Sequence, residues 1–329
     1  MGARRRLMAI LPLAAAGLYG AVSAVFATKL VGPRFPSDEP TDFAAAGLPT
    51  PEAVTIHNGA IALDGWFFAN PRRAGCAVVL LHGFSTDKSV VIPAAPLFWD
   101  RGCDLLTYDL RSHGRSTPDL LTYGVHDSED ESLAVDWLVS RTGLPAGRIG
   151  LMGWSYGAAT SLLTAARRRD LAFVVADASY SSLVDIATVQ AEQRFGRWAR
   201  LFVPGALAVS AVWGRFDPRR ASPVEAVRDL PTPVLVITST TDGFTPYEHS
   251  EAIFAAADPS HTRLVLTRWG APHAMSYPTD PEAYTRIVDA FLDELVPGFG
   301  RREPATAVVA QVAPPAVAAQ PSTGPSTSS

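Results

Sequence analysis

Apolar runs of two lengths divide the chain. The first, from Leu7 to Ala27, carries no charge between Arg6 and Lys29, and at about 20 residues it matches the hydrocarbon layer of a bilayer. Beyond a proline-rich stretch that ends near residue 52, the runs are short and separated by helix-length segments. Residues 53–57 and 61–68 predict two strands joined at Asn58-Gly59, a hairpin turn dipeptide. Residues 76–81, 104–108, 148–152, 171–176, 234–238 and 263–266 predict further strands. Between them, residues 128–140 predict a helix with Leu133, Trp137 and Leu138 on one face, and residues 155–169 and 283–295 predict two more. Continuous apolar runs alternating with helices imply a parallel sheet covered on both faces.

The alternation breaks once. Residues 180–230 separate two strands by about 50 residues, far more than an ordinary α/β connection, and predict an insertion. Its aromatic and aliphatic residues predict helices lying over the strand ends as a lid, with Trp198, Phe202, Trp213 and Phe216 lining the mouth of a site. An ordinary packed excursion is the other reading. The expected organisation is a signal anchor over 1–31, a Pro-rich linker over 32–52 acting as a tether, one α/β domain over 53–298, and a tail over 299–329. That tail has no charge after Glu303 and is expected to be disordered.

Charge narrows the partners. The 28 Lys and Arg against 32 Asp and Glu leave −4, which argues against a nucleic-acid partner. Cys76 and Cys103 are the only cysteines and show no zinc-ligand spacing, so no metal site is expected. They open strands that should be adjacent, and whether an exported domain joins them stays open. Lysine occurs only at Lys29 and Lys88, which excludes a P-loop, and no cofactor is expected. Arg4, Arg5 and Arg6 ahead of the long apolar run predict a cytoplasmic amino end, a single-pass membrane anchor and a domain outside the cytoplasm. Small residues at Ala21, Ser23, Ala24 and Ala27 leave secretion after cleavage as the alternative.

The chemistry centres on Gly153-Trp154-Ser155-Tyr156-Gly157, a GxSxG sequence between a predicted strand and a predicted helix. Such a turn presents a serine at the sheet edge, beside the positive end of a helix. A serine needs a base, and the base needs an acid to orient it. His273 follows the last strand and precedes the last helix, where a loop can return its ring to Ser155. Asp242 follows the strand over 234–238 and completes the order Ser, Asp, His; Asp177, also at a strand end, is its rival. Backbone donors for an oxyanion are expected at Tyr156 and, in His82-Gly83-Phe84, at Phe84.

The HGF loop, DLRSHGRS, GWSYGA, TTDGFTP and the late histidine together resemble the α/β-hydrolase superfamily over residues 53–296. With the N-terminal anchor and the stretch 177–182, the chain is similar to bacterial hydrolases related to serine aminopeptidases and prolyl-oligopeptidase-like domains. This resemblance implies an α/β-hydrolase fold, with an eight-stranded, mostly parallel sheet and a Ser155, Asp242, His273 triad. Ser239 departs from the glycine that many relatives carry before the acid loop. The leading expectation is a serine hydrolase that cleaves a carboxylic ester or thioester through an acyl-enzyme, with an apolar or amphipathic small-molecule acyl substrate expected from the aromatic lid and the membrane tether. A serine peptidase is the nearest alternative, and a non-catalytic binding protein on the same fold is the alternative of another class.

Overall fold

The computed structural model describes residues 2–301 apart from 33, 38 and 39, with side chains from Leu13 onward. A long helix, α1 (Gly2–Val31), precedes the hairpin β1 (Glu52–Asn58) and β2 (Ile61–Phe68). The chain then weaves strands and helices: β3 (Ala77–Leu81), the one-turn α2 (Pro96–Trp99), β4 (Asp104–Tyr108), α3 (Asp127–Thr142), β5 (Ile149–Trp154), α4 (Tyr156–Arg168) and β6 (Phe173–Asp177). A cap follows, made of α5 (Leu183–Phe195), a 3-10 turn at Arg197–Phe202, α6 (Val203–Gly214) and the one-turn α7 (Pro223–Ala226). The sheet closes with β7 (Val234–Ser239), α8 (Glu248–Ala256), β8 (Thr262–Thr267), the short α9 (Ser276–Thr279) and α10 (Pro281–Leu295).

These eight strands form one sheet in the order β1-β2-β4-β3-β5-β6-β7-β8. Only β1–β2 and β2–β4 pair antiparallel; the other pairings are parallel, which is the α/β-hydrolase architecture. The strands are apolar throughout because both faces are covered. In β3, Ala77, Val79 and Leu81 join the core formed with α3, α4 and α8. Val78 and Leu80 join the opposite core, with α2 and α10. Cys76 and Cys103, just ahead of neighbouring parallel strands, are joined in a disulfide with their Cα atoms 4.7 Å apart.

Two boundaries differ from expectation. The segment after α1 is not a free tether: Phe35 forms a β-bridge with His113, and its ring lies 4.8 Å from that of Phe84. The carbonyls of Leu30 and Val31 accept from the Tyr123 hydroxyl and the Leu121 amide. Buried apolar positions at Ala27 and Val31 give α1 a core-facing side that its uniform apolarity hides in the sequence. At the other end, Phe299 is buried edge-on against Phe173, so ordered packing runs past residue 298. The rest of the expected tail lies outside the described residues.

Candidate active site

Ser155 sits between β5 and α4 with φ 54° and ψ −112°, a positive-φ conformation outside the left-handed helical region and costly for a residue with a side chain. Packing enforces it. A Cβ on Gly153 would lie 2.3 Å from the Gly157 carbonyl carbon, and one on Gly157 would lie 2.5 Å from the Leu81 and His82 oxygens. Only glycine permits strand, turn and helix to approach so closely. The Ser155 amide donates to the Asp177 carbonyl at 2.7 Å, which ties the turn to the next strand.

His273 Nε2 lies 2.8 Å from Ser155 Oγ, and its Nδ1 lies 2.7 Å from Asp242 Oδ2. A carboxylate only accepts, so Nδ1 carries the proton in the neutral ring and Nε2 faces the serine hydroxyl as acceptor. Asp242 is fixed through its other oxygen, which accepts from the amides of Phe244 at 2.9 Å and Thr245 at 2.8 Å. Three side chains remote in sequence thus form one continuous hydrogen-bonded chain. Asp177 lies elsewhere in the network: it is fully buried and accepts from the Tyr284 hydroxyl at 2.9 Å. Burial, helped by the nearby charge of Asp242, raises its carboxyl to about 7 despite that hydrogen bond.

The expected oxyanion donors share a wall. Phe84 and Tyr156 both line a cavity of about 260 Å³ together with Ser155. The Tyr156 amide is the first of α4 and has no acceptor inside the helix. The loop carrying Phe84 is held by two buried imidazoles. His82 donates from Nδ1 to the Gly83 carbonyl at 2.7 Å and accepts the Leu110 amide on Nε2 at 2.9 Å. Burial lowers its pKa to about 3, so it stays neutral. His113 accepts the Ser85 amide at 3.3 Å.

None of Trp198, Phe202, Trp213 and Phe216 lines either cavity at Ser155, which corrects their expected place. Phe216 is buried in the packing between cap and domain. Phe202 lies 5.2 Å from Tyr19 of α1, ring to ring, and Trp198 and Trp213 are exposed. The cap wall is instead a helical stripe on α5, at Ile186, Ala187, Gln190, Ala191 and Arg194, continued by Phe195, Ala199, Val203 and Ala206. That stripe is legible as a period near 3.6, whereas aromatic content drew attention to the wrong face. Phe26, Lys29 and Leu30 of α1 complete the cavity, and nothing in the sequence signals this. A second cavity, of about 430 Å³, lies on the His273 side and includes Gly83, Trp154, Met275 and Tyr277. Among the described residues, no group of three His, Cys, Asp or Glu is arranged to hold a metal ion.

Comparison with known proteins bears on this geometry. Residues 120–298 match the prolyl oligopeptidase family. The uncharacterized protein YqkD of Bacillus subtilis is 29% identical over 229 residues, 68% of this chain and 73% of YqkD. The Pyrococcus furiosus esterase Pf2001 superposes with a TM-score of 0.63 at 20% identity, covering 80% of this chain and 97% of the esterase. The acylaminoacyl peptidase of Pyrococcus horikoshii superposes with a TM-score of 0.60 at 17% identity, covering 79% of this chain and 44% of the peptidase. At such identities the two superpositions show a shared fold.

Proposed function

Because the chain belongs to the prolyl oligopeptidase family of α/β-hydrolases, we propose that it is a serine hydrolase that cleaves carboxylic esters or thioesters through an acyl-enzyme on Ser155. The observation that carries this reading is the continuous contact from Ser155 Oγ through His273 to Asp242, at the wall of an apolar cavity. His273 Nε2 takes the hydroxyl proton as Oγ bonds to the acyl carbon, and Asp242 stabilises the resulting imidazolium. The tetrahedral oxyanion is met by the amides of Tyr156 and Phe84. Collapse breaks the bond to the leaving alkoxide or thiolate, which takes the proton from His273. Water, deprotonated by the same ring, then attacks the acyl-enzyme, and Ser155 is regenerated with release of a carboxylic acid.

Peptide cleavage is the second reading, since esterases and an acylaminoacyl peptidase share this fold. The cavity favours acyl substrates: its lining includes Lys29 and Arg194 but no Asp or Glu to receive a peptide amino terminus. For localisation we propose an anchor rather than a cleaved leader, with the domain outside the cytoplasm. Residues Leu13–Val31 are long and apolar enough to cross a membrane, and the Cys76–Cys103 bridge suits an oxidising compartment. Labelling with a fluorophosphonate, before and after heat denaturation, tests the nucleophile. A panel of p-nitrophenyl esters beside aminoacyl nitroanilides then separates ester from peptide cleavage. No labelling of the folded chain would reject the serine hydrolase, and faster nitroanilide turnover would favour the peptidase.

A further inference from the structure

The helix expected to act only as an anchor is built into the substrate cavity. Three residues on its last two turns, Phe26, Lys29 and Leu30, line the cavity that contains Ser155. The seat is close. A Cβ on Gly205 of α6 would lie 2.2 Å from Ser23 Oγ and 2.8 Å from the Tyr19 ring, the small-residue contact by which helices approach backbone to backbone. Ser23 and Ala27 are buried there, and the Tyr19 hydroxyl donates to the Leu201 carbonyl at 3.1 Å. Phe26 meets Phe195 edge-on with ring centroids 5.2 Å apart.

This seat fixes the cap relative to α1. Tyr19 and Phe26 both lie inside Leu13–Val31, the stretch long and apolar enough to cross a membrane, yet contact with the cap already begins at Tyr19. From Tyr19 to Phe26 is about 10 Å of helix. With α1 spanning a bilayer, the cap surface touching those residues would lie at the depth of the acyl chains. Its exposed side chains suit that depth: Trp198, Leu201, Val212 and Trp213 of the cap are exposed, as are Leu18 and Val25 of α1. Tryptophans at an apolar rim are the signature of a membrane interface.

We infer that α1 is a wall of the substrate cavity and that the cap is seated in the bilayer, so that the substrate is an acyl lipid drawn sideways from the membrane. This rests on the ester or thioester reading above and names its substrate class. The reaction is the one already balanced: the lipid's acyl group passes to Ser155 Oγ, its alcohol or thiol leaves with the proton from His273, and water releases the fatty acid. Cleavage of α1 as a leader after Ala21, Ser23 or Ala24 would strip Tyr19 from the cap, and cleavage after Ala27 would also remove Phe26 from the cavity wall.

The test uses the full chain in vesicles of phosphatidylcholine and phosphatidylglycerol. Two probes are compared: p-nitrophenyl palmitate dissolved in the bilayer and p-nitrophenyl acetate in water, with fluorophosphonate labelling as a check on Ser155. Gly205→Leu, which displaces α1, and the double variant Phe26→Ala with Leu30→Ala should each lower the palmitate-to-acetate ratio of kcat/KM about tenfold, about 1.4 kcal/mol. Labelling should persist in both. If Gly205→Leu fails to fold, the cavity variant alone decides, and an unchanged ratio in it overturns the proposal. Failure of the wild-type chain to label or to hydrolyse either ester would instead reject the serine hydrolase itself. In a separate measurement, brominated phosphatidylcholine should quench the fluorescence lost in Trp198→Phe. Quenching of that fluorescence by aqueous acrylamide alone, or a dimer that buries Trp198, would overturn the membrane seat.

Discussion

Around Ser155 the chain is held by backbone: parallel strands set the turn, glycines 153 and 157 admit it, and two amides lock Asp242. Across the cavity, the wall formed by α5, α6 and α1 is held by side-chain packing and a few long-range hydrogen bonds. Bonds between backbone groups tolerate changes of side chain, so the strand ends keep their geometry whatever covers them. Packing walls change shape with every residue. The proposed chemistry thus rests on the part fixed by hydrogen bonding, and the proposed substrate wall on the part fixed by apolar contact.

The sharpest break of this contrast is on the chemical side. Ser155→Ala should fold normally, lose fluorophosphonate labelling and lower turnover by a factor on the order of 10⁶. Asp242→Asn should lower kcat about 10⁴-fold by favouring the wrong imidazole tautomer, with little effect on Tm. Retained turnover in either variant would remove the proposed roles. A change in the frame should act on stability instead. Reducing or replacing the Cys76–Cys103 bridge, which closes 27 residues, should cost about 3 kcal/mol, read from denaturant midpoints. The cap should sharpen the comparison in the opposite sense, since Trp213→Ala, on an exposed residue outside both cavities, should leave acetate ester turnover within about twofold.

The smallest effect concerns Asp177. Its folded pKa of about 7 exceeds the ordinary 3.8, so the folded state binds the proton more tightly than the unfolded chain. The fold escapes the burial penalty below about pH 4 and bears it increasingly as pH rises through 7. Asp177→Asn keeps an acceptor for Tyr284 and should raise Tm more at pH 8 than at pH 5, with kcat changed less than tenfold. A kcat loss as large as that of Asp242→Asn would make Asp177 the functional acid.

Much of the frame was legible because local rules act on it. The eight strands follow from short apolar runs, the hairpin from Asn58-Gly59, and Ser155 from glycines whose absent Cβ atoms the turn requires. His273 and Asp242 followed from their places after β8 and β7, and the structure brings both to hydrogen-bonding distance in one chain with Ser155. The choice between Asp242 and Asp177 was open in sequence, because both end strands; the direction of a loop and the Tyr284 hydroxyl separate them.

The cap shows the opposite case. Aromatic content marked Trp198, Phe202, Trp213 and Phe216, but an apolar side chain serves equally as core, helix contact, exposed rim or cavity wall, and only the rotation of each helix assigns it. The run over α1 likewise established its length and apolar character, with no indication that Gly205 would receive Ser23 or that Phe26 would line the cavity that holds Ser155. Periodicity and turn chemistry are properties of neighbouring residues, so the sequence alone determined the strands, the GxSxG turn at Ser155 and the order of the polar groups. Which faces meet depends on contacts between segments as distant as α1 and α6, and these become defined only when the chain closes around its cores.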